Sequence, residues 1–200
     1  MLEATIVNYG VGNLHSISKA LARCGAKSNV TSDIGSILSA KCIVFPGVGA
    51  FGPASRALSK EKGRVVERLK SGVPALGICL GMQLFCDESE EGSGMGLGLI
   101  PGRVRRLNAP KVPHVGWTRV NASKDGLFDG IPDGSYFYFV HSYIVPDREG
   151  TVARARYGEE FAAAVRVGNT YGVQFHPEKS STIGLKLVDN FVRFAEGESR

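Results

Sequence analysis

The residues with chemistry to offer are a cysteine and a histidine, each placed where a strand ends. Cys79 lies in Gly77-Ile78-Cys79-Leu80-Gly81, after the apolar run from Val73 and before a helix-like stretch, Leu80 to Glu88. A sharp strand-to-helix turn forces its central residue into a strained backbone conformation, and side chains two positions to either side collide. Glycines at 77 and 81 meet that demand. The stretch reads as a nucleophile elbow with cysteine in place of serine. Its sulfur faces the first turn of a helix, where unpaired N–H groups and the positive dipole end favour thiolate. Taken alone, the pentapeptide also fits a buried structural cysteine between two packing glycines.

A cysteine nucleophile needs a base to move its proton and a group that orients the base. The chain has four histidines. His15 lies on a predicted helix with no carboxylate near it in sequence, which fits a surface or capping role. His114 follows Pro113 in a predicted loop, and His141 sits inside the aromatic run YFYFVHSY, where a core or pocket-wall histidine is expected. His176 differs. It leaves the strand Gly172-Val173-Gln174-Phe175 directly into Pro177-Glu178, and Pro177 keeps the segment extended or turn-like. Side chains two apart then point the same way, so Glu178 reaches the far imidazole nitrogen and holds the tautomer. The alternative is a solvent-facing His-Pro-Glu turn.

Stepping outward, the elements that must position these groups begin with a βα unit: a strand over Ala4 to Asn8, the turn Tyr9-Gly10-Val11-Gly12-Asn13, and a helical period in Leu14, Ile17, Ala20 and Leu21. Gly10-x-Gly12 lacks the third glycine of a dinucleotide fingerprint, His15 standing there, and is read as a tight turn. Strands over 26–31 and 41–45 flank a short helix capped by Asp33. The second leads into Pro46-Gly47-Val48-Gly49-Ala50-Phe51-Gly52, a glycine-rich loop at the carboxyl end of a parallel strand, where open α/β sheets bind ligands. A charged amphipathic helix over Glu61 to Ser71 follows. Beyond a predicted loop, Gly92 to Gly102, strands replace helices: 103–107, 117–121, 136–144, 151–156, 162–167 and 170–175, the last two joined by a Gly168-Asn169 hairpin. A helix over Thr182 to Phe194 completes an α/β fold with a mixed, parallel-centred sheet, flanked by helices and more antiparallel in its C-terminal half.

Two hundred residues, 43% hydrophobic and 22% charged, describe one domain over 1–200 with one sizeable core. The N-terminus shows no basic region followed by a long apolar stretch, so neither a signal peptide nor a membrane span is expected. Four cysteines without CxxC spacing fit a reducing cytoplasm. The net charge of +5 is dispersed among 19 acidic residues, and Arg103, Arg105, Arg106 and Lys111 cluster without interleaved aromatics, so a solvated face or protein contact is expected rather than nucleic acid. Cys79 and His176 stand apart from other ligand-type residues, so no metal or other cofactor is expected.

Gly77-Ile-Cys79-Leu-Gly81-Met-Gln83 with Gln174-Phe-His176-Pro-Glu178 resembles the class I (triad) glutamine amidotransferases. Pro46-Gly-Val-Gly49, Pro113-His-Val-Gly-Trp117, Tyr138-Phe-Val-His-Ser-Tyr143 and His176-Pro-Glu-Lys-Ser180 further resemble the glutaminase-subunit family of imidazole glycerol phosphate synthases. The similarity runs over essentially the whole chain. It departs where Cys86 and Asp87 extend the elbow helix and in the Gly92 to Gly98 loop.

That resemblance implies a Cys79, His176, Glu178 triad and an L-glutamine substrate. It also implies an oxyanion hole from the Leu80 amide and the Gly47-Val48-Gly49 loop, and glutamine contacts from Gln83, His141, Ser142 and Tyr143. The implied partner is a (β/α)8 cyclase subunit, joined as a heterodimer in histidine biosynthesis, with Trp117, Tyr138 and Lys179 at the contact. A cysteine peptidase or thioester hydrolase uses the same three groups, and a regulatory module on the same fold usually loses one of them.

Overall fold

The computed structural model describes residues 1–10 and 14–197. The first half runs β1 (Glu3–Val7), α1 (Leu14–Arg23), β2 (Lys27–Thr31), α2 (Ile34–Ser39), β3 (Ile43–Phe45), α3 (Phe51–Ser59), α4 (Lys62–Lys70), β4 (Ala75–Ile78) and α5 (Leu80–Leu84). The second runs β5 (Cys86–Ser89), β6 (Gly92–Met95), β7 (Ile100–Arg106), β8 (His114–Ala122), β9 (Ser135–His141), β10 (Tyr143–Ile144), β11 (Thr151–Tyr157), β12 (Glu159–Val167), β13 (Thr170–Val173) and α6 (Ser181–Ala195).

Nine strands form one sheet in the order β2-β1-β3-β4-β13-β12-β11-β8-β9. From β2 to β13 the neighbours are parallel, and from β13 to β9 they are antiparallel. The expected parallel-centred mixed sheet is therefore present, and β13 is the strand where its character changes. Because β4 and β13 are parallel neighbours, in register from Ala75↔Thr170 to Ile78↔Val173, the residues that follow them leave the sheet at the same edge. Cys79 and His176, nearly a hundred positions apart in sequence, meet for that reason.

Both strands are buried along their whole length, as a sheet covered on both faces requires. Alternate residues feed two cores: Ile6, Val44, Leu76 and Ile78 pack under α1 and α6, while Val7, Ile43, Phe45 and Ala75 pack under the helices of the other face. Asp33 caps α2 as expected, accepting the Ser36 amide at 2.7 Å. Gly10 takes φ +81, as the predicted turn asks. The rest of that turn, Val11, Gly12 and Asn13, lies outside the described residues.

The structure corrects several expectations. The elbow helix ends at Leu84 and Cys86–Ser89 is a strand, so Cys86 and Asp87 do not extend the helix. Its last carbonyls are taken by the returning chain, Leu97 N to Leu84 O at 2.6 Å and Ile100 N to Phe85 O at 2.9 Å, while the Asp87 carboxylate accepts the Gly102 amide at 2.6 Å. Residues 92–95 and 100–102 are strand rather than loop, within a four-stranded sheet β10-β7-β5-β6. Glycine there marks close backbone approach: a Cβ on Gly96 would lie 2.1 Å from the Cys86 carbonyl oxygen. Finally, α3 begins at Phe51, inside the predicted loop, with Phe51, Ala54, Ser55 and Leu58 on its buried face. The glycine-rich loop is thus confined to residues 46–50.

Candidate active site

Cys79 occupies the N-cap of α5 with φ 47 and ψ −100. A non-glycine residue in that region costs about 1–3 kcal/mol, which the surrounding structure must impose. It does so through the bare glycines: a Cβ on Gly77 would meet the Phe85 ring at 2.5 Å, and one on Gly81 would meet the Phe45 carbonyl oxygen at 2.1 Å. No side chain caps α5, so among the described residues the Leu80 amide, at the positive end of the helix, stays unpaired. The sulfur lies 3.4 Å from the Gln174 Nε2 donor and 3.9 Å from the Val140 carbonyl oxygen.

His176 is fully buried. Its Nδ1 donates to Glu178 Oε1 at 2.8 Å, the contact expected from their spacing, so Nε2 is the nitrogen left for chemistry, and among the described residues it has no hydrogen-bond partner. Burial works against a charged imidazole here, but the adjacent Cys79 thiol and the Glu178 carboxylate outweigh it and lift the pKa to about 9. A proton held there is ready for a leaving group. The backbone of His176 is also fixed, its amide donating to the Tyr138 carbonyl at 2.8 Å and its carbonyl accepting the Ser180 hydroxyl at 2.7 Å. Gly184 lets α6 pack against this turn, since a Cβ would fall 2.0 Å from the Pro177 carbonyl oxygen.

The glycine-rich loop crosses directly over the histidine. A Cβ on Gly47 would lie 2.8 Å from the Ile78 carbonyl oxygen and 3.0 Å from His176 Cε1. Among the described residues the amides of Gly47, Val48 and Gly49 have no hydrogen-bond acceptor, and Gly49 takes φ +131, a conformation that favours glycine. Both ends of the loop are pinned: the Tyr9 hydroxyl donates to the Pro46 carbonyl, and the Phe51 amide donates to Glu91 Oε2 at 2.9 Å. Tyr9 is buried, and burial followed by the nearby Cys79 raises its pKa well above the ordinary phenol value.

The other predicted residues divide. Gln83 is buried, and its Nε2 is spent on the Tyr143 carbonyl at 2.9 Å and Gln174 Oε1 at 3.2 Å, which leaves Oε1 as its free polar atom. His141 is buried as expected, with Nδ1 3.0 Å from the Tyr143 carbonyl. His114 is a correction, for it opens β8 instead of lying in a loop. Its Nδ1 is 3.1 Å from His141 Nε2, a cross-strand contact set by the His114↔His141 register. Burial, with the neighbouring imidazole adding for His141, depresses both pKa values, to about 4 for His114 and about 3 for His141. Ser142, half-buried, accepts the Leu107 amide through its carbonyl.

Trp117 is 50% exposed and pairs across the strands with Tyr138, ring centroids 6.0 Å apart, while Lys179 Nζ lies 5.9 Å from the Tyr138 ring centre. With Val115 and Tyr136 they make an exposed, largely apolar face beside the cleft. Tyr9, Glu91, Gln174 and Ser180 carry no role of their own in the expected site. Tyr9 and Gln174 had a usable signal, since each ends a strand of the parallel set; Glu91 and Ser180 reach the site only through tertiary contacts.

Comparison with known proteins places this geometry. The family model for glutamine amidotransferase class-I matches residues 5–194. The chain is 50% identical to the imidazole glycerol phosphate synthase subunit HisH of Moorella thermoacetica over 96% of this chain and 94% of that one. It is 48% identical to HisH of Archaeoglobus fulgidus over 96% and 98%. Among solved structures, a glutamine amidotransferase superposes with a TM-score of 0.76 at 20% identity, covering 96% of this chain and 98% of that one. PurLQS from Thermotoga maritima superposes with a TM-score of 0.76 at 21% identity, covering 97% and 99%.

Proposed function

The chain belongs to the glutamine amidotransferase class-I family, and on that premise we propose that Cys79, His176 and Glu178 are its hydrolytic triad. Its function is that of the glutaminase subunit of an imidazole glycerol phosphate synthase. It hydrolyses L-glutamine and supplies the ammonia to a cyclase subunit for histidine biosynthesis. The observation that supports the triad is the unpartnered His176 Nε2, buried beside a strained Cys79 while Nδ1 is tied to Glu178.

The thiolate attacks the side-chain amide carbon of glutamine, and the carbonyl oxygen becomes an oxyanion. The Leu80 amide and one amide of Gly47, Val48 or Gly49 receive that charge. His176 protonates the departing nitrogen, ammonia leaves, and a γ-glutamyl thioester remains. Water deprotonated by His176 cleaves the thioester and frees glutamate. Gln83 Oε1 and the 141–143 segment meet the amino-acid end of the substrate. With its amides unpaired, the 46–50 loop acts as a switch that completes the oxyanion hole when the cyclase is loaded.

The partner is a (β/α)8 cyclase subunit in a heterodimer, docked on the face of Trp117, Tyr138 and Lys179. Ammonia released into neutral water is protonated and loses its nucleophilicity, so a covered passage serves the coupled reaction. Residues 1–200 act as one domain in the cytoplasm, where free thiols persist. Among the described residues no helix is long and apolar enough to cross a membrane. The test is synthesis by Cys79→Ala assembled with the cyclase: activity on added ammonium and none on glutamine is expected, and retained glutamine turnover removes the assignment.

A further inference from the structure

We propose that Gln174 is a further catalytic residue of this site, donating a hydrogen bond to the Cys79 sulfur in a direction that the surrounding fold imposes. The proposal rests on Cys79 being the nucleophile and adds a role for a residue that the triad leaves unused. Gln174 is completely buried, where a side-chain amide must find partners on both its ends.

The hydrogen-bond network fixes which end faces the sulfur. The Tyr143 carbonyl can only accept, so the Gln83 terminal atom 2.9 Å away must be the nitrogen. That nitrogen can only donate, so the Gln174 atom 3.2 Å from it must be Oε1. Gln174 Nε2 is thereby turned to the sulfur at 3.4 Å. A flipped Gln174 would set two amide nitrogens against each other in a buried place.

The same carbonyl is held from the other side. His141 Nδ1, 3.0 Å away, must carry a hydrogen, so its Nε2 is a lone pair that accepts from His114 Nδ1 at 3.1 Å. His114 Nε2 then accepts the Thr118 hydroxyl at 2.9 Å. Burial keeps both imidazoles neutral at physiological pH, which the chain of donors requires. An unbroken series of donors and acceptors thus runs from β8 to the nucleophile, and each link leaves the next with one orientation.

An N–H aimed at sulfur favours thiolate over thiol, because hydrogen bonds to a charged acceptor are roughly twice as strong as neutral ones. The donor acts in the resting enzyme and again when the thioester is cleaved. Water adds to the acyl carbon with its proton passing to His176. The C–S bond then breaks, its electron pair returns to sulfur, and Gln174 meets the re-formed charge.

The test is the pH profile of Cys79 alkylation by iodoacetamide on the full chain, followed by mass spectrometry of the Cys79 peptide, with steady-state glutamine hydrolysis in the cyclase-bound enzyme. For Gln174→Leu, the pH of half-maximal alkylation is expected to rise by about one unit and kcat to fall about tenfold, with KM within twofold and the melting temperature within a few degrees. An alkylation profile matching wild type in a folded Gln174→Leu protein overturns the proposal. Should that variant fail to fold, Gln83→Leu, which frees Gln174 Oε1, is expected to move the profile the same way by a smaller amount; no movement overturns it equally. If Cys79→Ala still hydrolyses glutamine, the nucleophile assignment itself falls, and the proposal with it.

Discussion

The amide of His176 donates to the carbonyl of Tyr138 at 2.8 Å, so the proposed base hangs from the strand that carries the exposed aromatic face. Tyr138 is tied a second time, its own amide donating to Ser180 Oγ at 2.9 Å. A protein pressing on Trp117 and Tyr138 therefore presses on the backbone beside the His176 imidazole. Trp117→Ala removes an aromatic of the kind that dominates binding energy at interfaces, so association with the cyclase is expected to weaken at least tenfold. Lys179→Glu is expected to lower the association rate and change its salt dependence. Titration calorimetry and stopped-flow binding measure the two effects, and unchanged binding in both variants would move the interface elsewhere.

Gly47 faces the site from the opposite side. A methyl group there would sit 2.9 Å from Ile78 Cγ2 and 3.0 Å from His176 Cε1, so either the loop or the imidazole must shift by several tenths of an ångström. Displacement of a reacting group on that scale is costly to rate. Gly47→Ala is expected to lower kcat on glutamine about a hundredfold while costing about 1–3 kcal/mol of stability, as overpacking does. Gly81→Ala, at 2.1 Å from the Phe45 carbonyl oxygen, presses on backbone and is expected to destabilise more. Thermal melts of both variants, with assays at saturating glutamine, separate the effects.

The Cys79, His176 and Glu178 cluster was legible because each of the three carries its own local signature: flanking glycines for Cys79, a strand end into Pro177 for His176, and a two-residue spacing for Glu178. Most of the parallel half of the sheet was legible for a similar reason, since β1, β3 and β4 are short, mostly buried apolar runs. The second sheet was not. Cys86–Ser89 follows a helix and continues its polarity without a breaker, and only the returning 97–102 segment makes it a strand. The glycines at 92, 94, 96 and 98 carry the same letters whether they build a loop or a tightly packed hairpin. The His114 and His141 contact depended on strand register, which neither peptide reveals alone.

Tyr9 anchors the root of the 46–50 loop through its hydroxyl, with Glu91 anchoring the exit. If the loop must turn an amide inward to complete the oxyanion hole, these anchors bias it toward the observed conformation. Removing one buried hydrogen bond of about 1 kcal/mol shifts such an equilibrium about fivefold. Tyr9→Phe keeps the ring and is expected to raise glutamine hydrolysis several-fold in the absence of the cyclase's ligand, while the ligand-stimulated rate changes little. Ammonia release measured with and without that ligand decides it, and an unaltered uncoupled rate would mean that the hydroxyl does not restrain the loop.

Stability should depend on pH through histidines that titrate in opposite senses. His176 has a folded pKa of about 9 against an ordinary 6.5, so the folded state binds the proton more tightly. Its contribution is complete below about pH 6.5 and is lost as pH rises through 9. His114 and His141 are depressed to about 4 and about 3 by burial, so the unfolded chain binds protons more readily there. Their contribution is complete above about pH 6.5 and is lost as pH falls toward those values. The melting temperature is therefore expected to peak near pH 6.5 and to decline by several degrees toward both pH 4 and pH 9.5. Glu178→Gln removes one of the two groups that raise the His176 pKa and should make the alkaline limb shallower without touching the acid one, and His114→Asn, with His141 still buried, should make only the acid limb shallower. Melting curves for the three proteins across that range test the assignment, and an alkaline limb of wild-type steepness in Glu178→Gln would show that the His176 proton is not held by this contact.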